Sequence, residues 1–525
     1  MARPLGRRAF LAGAAASAVA VTAGCSGSDG GGSAASTTVA RSTTSTTLHT
    51  AKLAGDPFTL GVASGDPLAD RVILWTRLAP DPMAGGGGAM PDSPVDVVWE
   101  VATDDRFAQS VSSGVYTAEA NLAHSVHVDV DGLDPASTFF YRFRVGDWTS
   151  PVGRTRTLPD ETPDRFRLAV ANCQMFETGA YAAYRAMAEE DLDLVVHLGD
   201  YIYEYPGVPG PRTVEPKTAL TSLDDYRLRH ASYRLDPHLT KAHARFPFVV
   251  TWDDHDVANN YMGDHVPGLD LAAAKERKAA AYQAFWEHLP MRLDPPQGSP
   301  ELALERSFTI GDLARLHLID ERQFADLPPC RANPDDTTDF GDCAAREGED
   351  RTRLGPDQEE WIKSSLAEGG VTWNLLGNPV VLAGVDSGTD TAAYYLDTWD
   401  GFPQARRRLI AQLAEVDNPV VLTGDYHQGM VLDVHATPFD QSTPIVAPEF
   451  MAPPISSVLF SADVSRRTPQ LREQLDHHGY LSVDVTPDVL TARFNVVADV
   501  GKADSAVTTA STWRVAAGDP VAQKV

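Results

Sequence analysis

The amino-acid sequence predicts a mixed α/β protein in which an all-β sandwich precedes a larger domain of alternating strands and helices. Three observations lead there. Short strands without helical period fill the chain before residue 158, strand–helix alternation follows, and the buried strands end in polar side chains. A chain of 525 residues exceeds the ~250–300 that one hydrophobic core supports, so two folded domains are expected.

The first domain is placed at residues 54–158. Strands are expected over 72–75, 97–101, 125–130 and 139–145, several of which alternate apolar and polar residues as a sandwich requires. No chemistry is evident in them. The run Leu158-Pro159-Asp160-Glu161-Thr162-Pro163 reads as a turn, and the second domain spans 159–515. Its buried strands are read at 166–171, 192–198, 247–252, 314–319, 372–376 and 419–423. Helices are read at 179–190, 270–288 and 357–366, and no internal repeat is found.

Ahead of both domains, Arg7-Arg8 followed by Phe10-Leu11 and a short apolar run to Ala23 resembles a twin-arginine (Tat) signal peptide over residues 1–25. The run is too short to span a bilayer. Thr22-Ala23-Gly24-Cys25 is similar to a lipobox, which would make Cys25 a lipid anchor. Thr22 stands where an aliphatic residue is usual, so cleavage and free release stay open. Residues 26–53, mainly Gly, Ser, Thr and Ala, are expected to be a disordered linker. The Tat export machinery is the expected partner, and the destination is extracellular or the cell envelope.

A composition of 43% hydrophobic and 22% charged residues is that of a globular protein. The formal net charge of −28 argues against a nucleic-acid groove or an anionic membrane surface, either of which needs clustered Lys and Arg. An anionic substrate would have to be held by metal or by local Arg, and a monomer is expected. Of the four cysteines, Cys330 and Cys343 are expected to pair in an oxidising compartment, worth ~3 kcal/mol. Cys173 is left as either a small buried hydrophobe or a metal-binding thiolate.

The strand ends carry the functional argument. They read Asn172-Cys173, Gly199-Asp200, Asp253-Asp254-His255-Asp256, Asp320 and Gly424-Asp425-Tyr426-His427. In α/β sheets ligands bind beyond the carboxyl ends of strands, so these groups should converge. Any single Asp could instead cap the turn that follows it. Several buried carboxylates together, however, call for proton uptake or bound cations. Asp200 and Tyr203 can reach one ion, and with the Cys173 thiolate they favour a ferric centre. Asp254 and Asn260 suit a harder divalent ion such as calcium, magnesium or manganese. Two ions roughly 3.5–4 Å apart would clamp an in-line displacement at phosphorus, with metal-bound hydroxide as nucleophile. His255 could donate to the leaving oxygen or make a structural hydrogen bond. Arg322 could grip phosphate or form a structural ion pair.

These motifs, with Gly61 to Asp66, Val72 to Arg77, Ile319 to Phe324, Leu354-Gly355, Asp397 to Phe402 and Gly424 to His427, resemble the PhoD-like secreted alkaline phosphatase and phosphodiesterase family of the calcineurin-like metallophosphoesterase superfamily. The resemblance runs from Phe58 to about Val515. It implies a four-layer αββα metallophosphoesterase sandwich preceded by a fibronectin-III-like β-sandwich. It also implies a ferric ion with one or two calcium ions, and hydrolysis of small phosphate mono- and diesters. Carried over by motif, Cys173, Asp200 and Tyr203 would bind iron, Asp254 and Asn260 calcium, and Asp425 and His427 would join the cluster. Asn378 stands where the family is expected to have Gln. The competing expectations are a specialised nucleotidase, phytase or phospholipase on the same scaffold, or a surface binding lipoprotein without turnover.

Overall fold

The computed structural model describes residues 52–330, 333, 335, 340–460 and 462–525. The twin-arginine segment, Cys25 and nearly all of the expected linker lie outside the described residues.

Three apolar runs, Phe166–Ala171, Leu194–Leu198 and Pro247–Thr251, lie side by side in parallel at the centre of a ten-stranded sheet. Runs this apolar fit strands covered on both faces, and nearly every residue in them is buried. A seven-stranded sheet is built likewise around parallel Ala314–Leu318, Trp373–Gly377 and Pro419–Thr423. Because side chains alternate along a strand, neighbouring residues feed different cores. Leu168, Val170, Val196 and Val249 meet Leu316, Leu375, Val420 and Phe450 in one core shared by the two sheets. Ala169, Val195, Phe248 and Val250 instead pack with Tyr184, Leu239, Tyr282 and Phe285, all from the helices Ala182–Met187, Pro237–Arg245 and Leu271–His288. Leu376, Val421 and Leu432 pack with Ile362 and Leu409 of the helices Gly355–Ala367 and Pro403–Leu413.

The N-terminal strands divide between two sheets. Val95–Ala102, Ser110–Ala118, Thr138–Val145, Trp148–Thr149 and Gly153–Arg156 form a five-stranded sheet. Val62–Gly65, Val72–Arg77 and Ser125–Val130 extend the ten-stranded sheet, through Ser64 and Gly65 paired in parallel with Pro247 and Phe248. A core containing Val72, Leu74, Val97, Val126 and Phe139 joins strands of both sheets. The N-terminal module is thus bonded into the large sheet along one strand.

At the other end, Gly479–Val485, Val489–Val497 and Val507–Ala516 add an antiparallel run to the ten-stranded sheet, and Gln523–Lys524 pairs with Trp513 and Arg514. Pairing therefore continues past residue 515, the boundary expected from sequence. Cys330 and Cys343 are disulfide-bonded, and Cys173 is a buried free thiol. No described helix is long and apolar enough to cross a membrane.

Candidate metal centre

Parallel strands that start and stop in register bring their carboxyl ends to one rim. The turns after Phe166–Ala171, Leu194–Leu198, Pro247–Thr251 and Pro419–Thr423 deliver Cys173, Asp200, Asp254 and Asp425 into three overlapping groups. These are Cys173 with Asp200 and His427, Asp200 with Asp254 and His255, and Asp253 with Asp254 and Asp425. Within each group the ligand atoms lie within 4.8 Å of one another. The Tyr203 hydroxyl donates to Asp200 Oδ2 at 2.7 Å, lies 3.2 Å from His427 Nε2, and accepts from Ser457 Oγ at 2.7 Å. The Asn260 backbone N–H donates to Asp254 Oδ2 at 2.6 Å, which brings that residue beside the third group.

Tight reversal at a strand end requires unusual backbone. Cys173, Asp200, Asn260, Asp425 and His427 all have left-handed φ, between 51° and 62°. Non-glycine residues rarely adopt it, and their coincidence here marks a site where the surroundings impose the conformation. Gly199 (φ 98°) precedes Asp200 because a Cβ there would come within 2.6 Å of the Asp253 backbone nitrogen.

The electrostatics describe a cluster short of positive charge. Burial pushes the Cys173 thiol well up, and Asp200, Asp425 and Asp253 push it further. Burial likewise raises Asp253, Asp254 and Asp425, against the pull of Arg322. Asp200 is held below the carboxylate range because His255, His427 and Tyr203 outweigh its burial. Asp200 Oδ1, Asp253 Oδ2 and Asp425 Oδ2 are buried without any hydrogen-bond partner. A buried carboxylate oxygen with neither proton nor donor is costly, and a cation shared among these oxygens relieves it. The donor set fits bound metal on that observation. One side offers a sulfur, an imidazole, a phenol and a carboxylate, and the other offers carboxylates, with Asn260 next to them.

His255 stands over the site on a carboxylate: its Nδ1 donates to Glu204 Oε2 at 2.8 Å. Glu204 Oε1 also accepts the Asn259 N–H at 2.7 Å, so one carboxylate ties the turn after Asp254 to the turn after Asp200. Burial works to lower the His255 pKa, but Asp254, Glu204 and Asp200 outweigh it and raise it well above the usual value.

Two expectations need correction. Of the two roles open to Arg322 the structure supports the ion pair rather than the phosphate grip: it is 0% exposed, Nε meets Asp253, Nη1 meets Asp397 Oδ2 at 2.7 Å and Nη2 lies 3.5 Å from Asp254. It is the internal counter-charge of the acidic cluster. Asp320 stays out of the cluster: it accepts the Arg322 and Gln323 N–H groups at 2.8 and 3.3 Å, capping its own turn. Asn378 is also structural, accepting from the Trp399 indole at 3.1 Å.

Reading the sequence did not single out Asp256 or Ser457. Asp256 accepts four backbone N–H groups, from Asp200, Tyr201, Ile202 and Asp253, at 2.9–3.2 Å. It is the clamp that holds the Asp200 turn in place. An acidic residue ending the run Asp253 to Asp256 was the available signal for this role.

Comparison with known proteins places this geometry. Residues 168–494 match the model of the PhoD-like phosphatase, and residues 42–159 match its N-terminal domain. Alkaline phosphatase D of Bacillus subtilis (strain 168) is 42% identical over 480 residues, covering 87% of this chain and 80% of that one. A solved structure described as PhoD superposes with a TM-score of 0.84 at 39% identity, covering 90% of this chain and 93% of the other. The phosphatase match takes in every strand end that feeds the cluster, so the chain belongs to the PhoD-like phosphatase family.

Proposed function

We propose that the protein is an exported alkaline phosphatase and phosphodiesterase that hydrolyses small phosphate mono- and diesters at a centre of one ferric ion and one or two calcium ions. The observation that carries this reading is the set of orphaned carboxylate oxygens of Asp200, Asp253 and Asp425 at one rim of parallel strands. The two large sheets with their outer helices are read as the four-layer αββα metallophosphoesterase sandwich. The five-stranded sheet and the strands facing it are read as the fibronectin-III-like module.

In this reading Cys173, Asp200, Tyr203 and His427 would hold iron, Asp254 and Asn260 would hold calcium, and Asp425 lies with Asp254 in the shared acidic group. Bound cations would neutralise phosphoryl oxygens and supply an activated water. The chain itself does the positioning. Glu204 fixes the tautomer of His255 and leaves its Nε2 to place a proton at the departing oxygen. The Val458 carbonyl accepts from His427 Nδ1 at 2.7 Å, which leaves Nε2 as the metal-facing nitrogen. Arg322 offsets part of the acidic charge and so keeps the acidic pocket foldable. Export by the twin-arginine route would end either in a lipid anchor at Cys25 or in free release.

Release of nitrophenol from mono- and bis-nitrophenyl phosphates by metal-replete protein tests the activity, and no release from either rejects it. Elemental analysis with a visible spectrum tests the metals. Stoichiometric iron with a phenolate or thiolate charge-transfer band is expected, and a zinc-only result would replace the metal assignment.

A further inference from the structure

We infer that the pocket above the metal centre is shaped for a single phosphate carrying an uncharged, planar or apolar arm. This rests on the phosphoesterase reading and names its substrate class. The cavity, about 820 Å³, has Tyr203, His255, Asn260 and His427 at one end, and it is far larger than a phosphate needs. Along the rest of its wall runs a series of rings, with aliphatic and small polar side chains between them. Phe340 stacks on Tyr395 with centroids 5.2 Å apart, and Tyr395 meets Tyr426 edge-on at 6.4 Å. Tyr426 meets Phe460 at 6.1 Å, and Phe460 stacks on His427 at 4.7 Å. The series therefore ends on a residue of the metal cluster.

Phe340 and Phe460 of this series are 54% and 45% exposed, and Val458, which also lines the pocket, is 63% exposed. Scattered apolar side chains on a surface need no explanation, but three around one opening mark a contact surface. Phe340 is held in place rather than dangling. The strand Phe340–Gly341 pairs with Tyr394–Tyr395. Among the described residues lining the pocket none is Lys or Arg, so they offer a second phosphate no guanidinium or ammonium group. The acidic chain adds repulsion. Esters with an aryl or similarly apolar arm suit this wall, and polyphosphorylated compounds do not.

The test is calorimetric binding of benzylphosphonate and methylphosphonate to the metal-loaded protein, alongside nitrophenyl phosphate turnover. Benzylphosphonate is expected to bind ~5–30-fold more tightly, as burial of one ring against aromatic side chains gives. Phe340→Ala and Phe460→Ala should bring that ratio toward one. Trp148→Ala, at a residue equally exposed (41%) in the five-stranded sheet, should keep it. Equal affinity for the two phosphonates, or tighter binding of inositol hexakisphosphate than of benzylphosphonate, overturns the inference. A benzyl preference without turnover keeps the slot and sinks the hydrolase reading, whereas turnover without preference does the reverse.

Discussion

Replacing Asp256 by Asn separates a clamp from a ligand. Each oxygen of Asp256 accepts two backbone N–H groups: Oδ2 from Asp200 and Asp253 at 2.9 and 3.1 Å, Oδ1 from Tyr201 and Ile202 at 3.1 and 3.2 Å. An amide has one acceptor oxygen, so Asp256→Asn keeps two of these bonds and turns an NH₂ toward the other two donors. Hydrogen bonds to a charged group contribute ~1.5–3 kcal/mol each, so the gross loss is ~3–6 kcal/mol. Removing a buried charge returns part of that, since burial and the nearby Asp200 already push this carboxyl up. The expected net destabilisation is ~3 kcal/mol, read from a guanidinium titration. Hydrogen exchange adds a local readout, with one pair of amides, Asp200 and Asp253 or Tyr201 and Ile202, losing protection. Turnover should fall as well, because the left-handed Asp200 is what that turn presents to the cluster. Stability within ~0.5 kcal/mol of the parent, with unchanged exchange at those amides, would refute the clamp.

Arg322→Met should cost ~3–5 kcal/mol in metal-stripped protein, by leaving Asp253, Asp254 and Asp397 uncompensated, and metal should restore part of it. Equal losses in denaturation with and without chelator would contradict its role as counter-charge. Cys173→Ala should lower retained metal and abolish any thiolate absorption band, with only ~1 kcal/mol lost by the metal-free fold; an unchanged metal content would remove the thiol from the ligand set. Glu449, buried and accepting the Leu382 and Ala383 N–H groups, is pushed up by burial from 4.5 to about 7. A carboxyl raised on folding favours the folded state fully below its unfolded value, and that contribution is lost as pH climbs from there through about 7. Glu449→Gln, which mimics the protonated form, should therefore gain on the parent as pH rises from 4.5 to about 7 and keep the gain above it. The gain should reach ~3 kcal/mol at most, and melting profiles that stay parallel across that range would count against it.

The strand ends were legible because each apolar run stops abruptly at a polar residue, a local signal that survives without knowledge of neighbours. The pairing of Cys330 with Cys343 was legible for a similar reason, since composition and separation alone made it the short closure. Burial of Arg322 was not legible, because the carboxylates that claim it come from Asp253 and Asp397, far apart in the chain. Asp254 and Asp256 are the same residue type two positions apart, yet one faces the cluster and the other the backbone, a difference set by the short 3-10 turn between them. The helix Leu223–Arg234 was missed since its buried face carries Arg227, Arg229, His230 and Arg234 in place of an apolar stripe. The strands Gly479–Val485 and Val489–Val497 also alternate apolar and polar residues, a period-2 signal present in the sequence.

The parallel pairing of Val62–Gly65 with Pro247–Thr251 bears on how far the chain can be dissected. A protein shortened to begin at Leu158 would keep every group of the acidic cluster. It would also strip the neighbour from the very strand whose end carries Asp253 and Asp254. An uncovered strand of mainly apolar residues is a template for self-association, so such a fragment should aggregate before its chemistry can be measured. What looks from its family matches like a detachable front module is, in the fold, the lateral seal of the strand that carries the acidic loop.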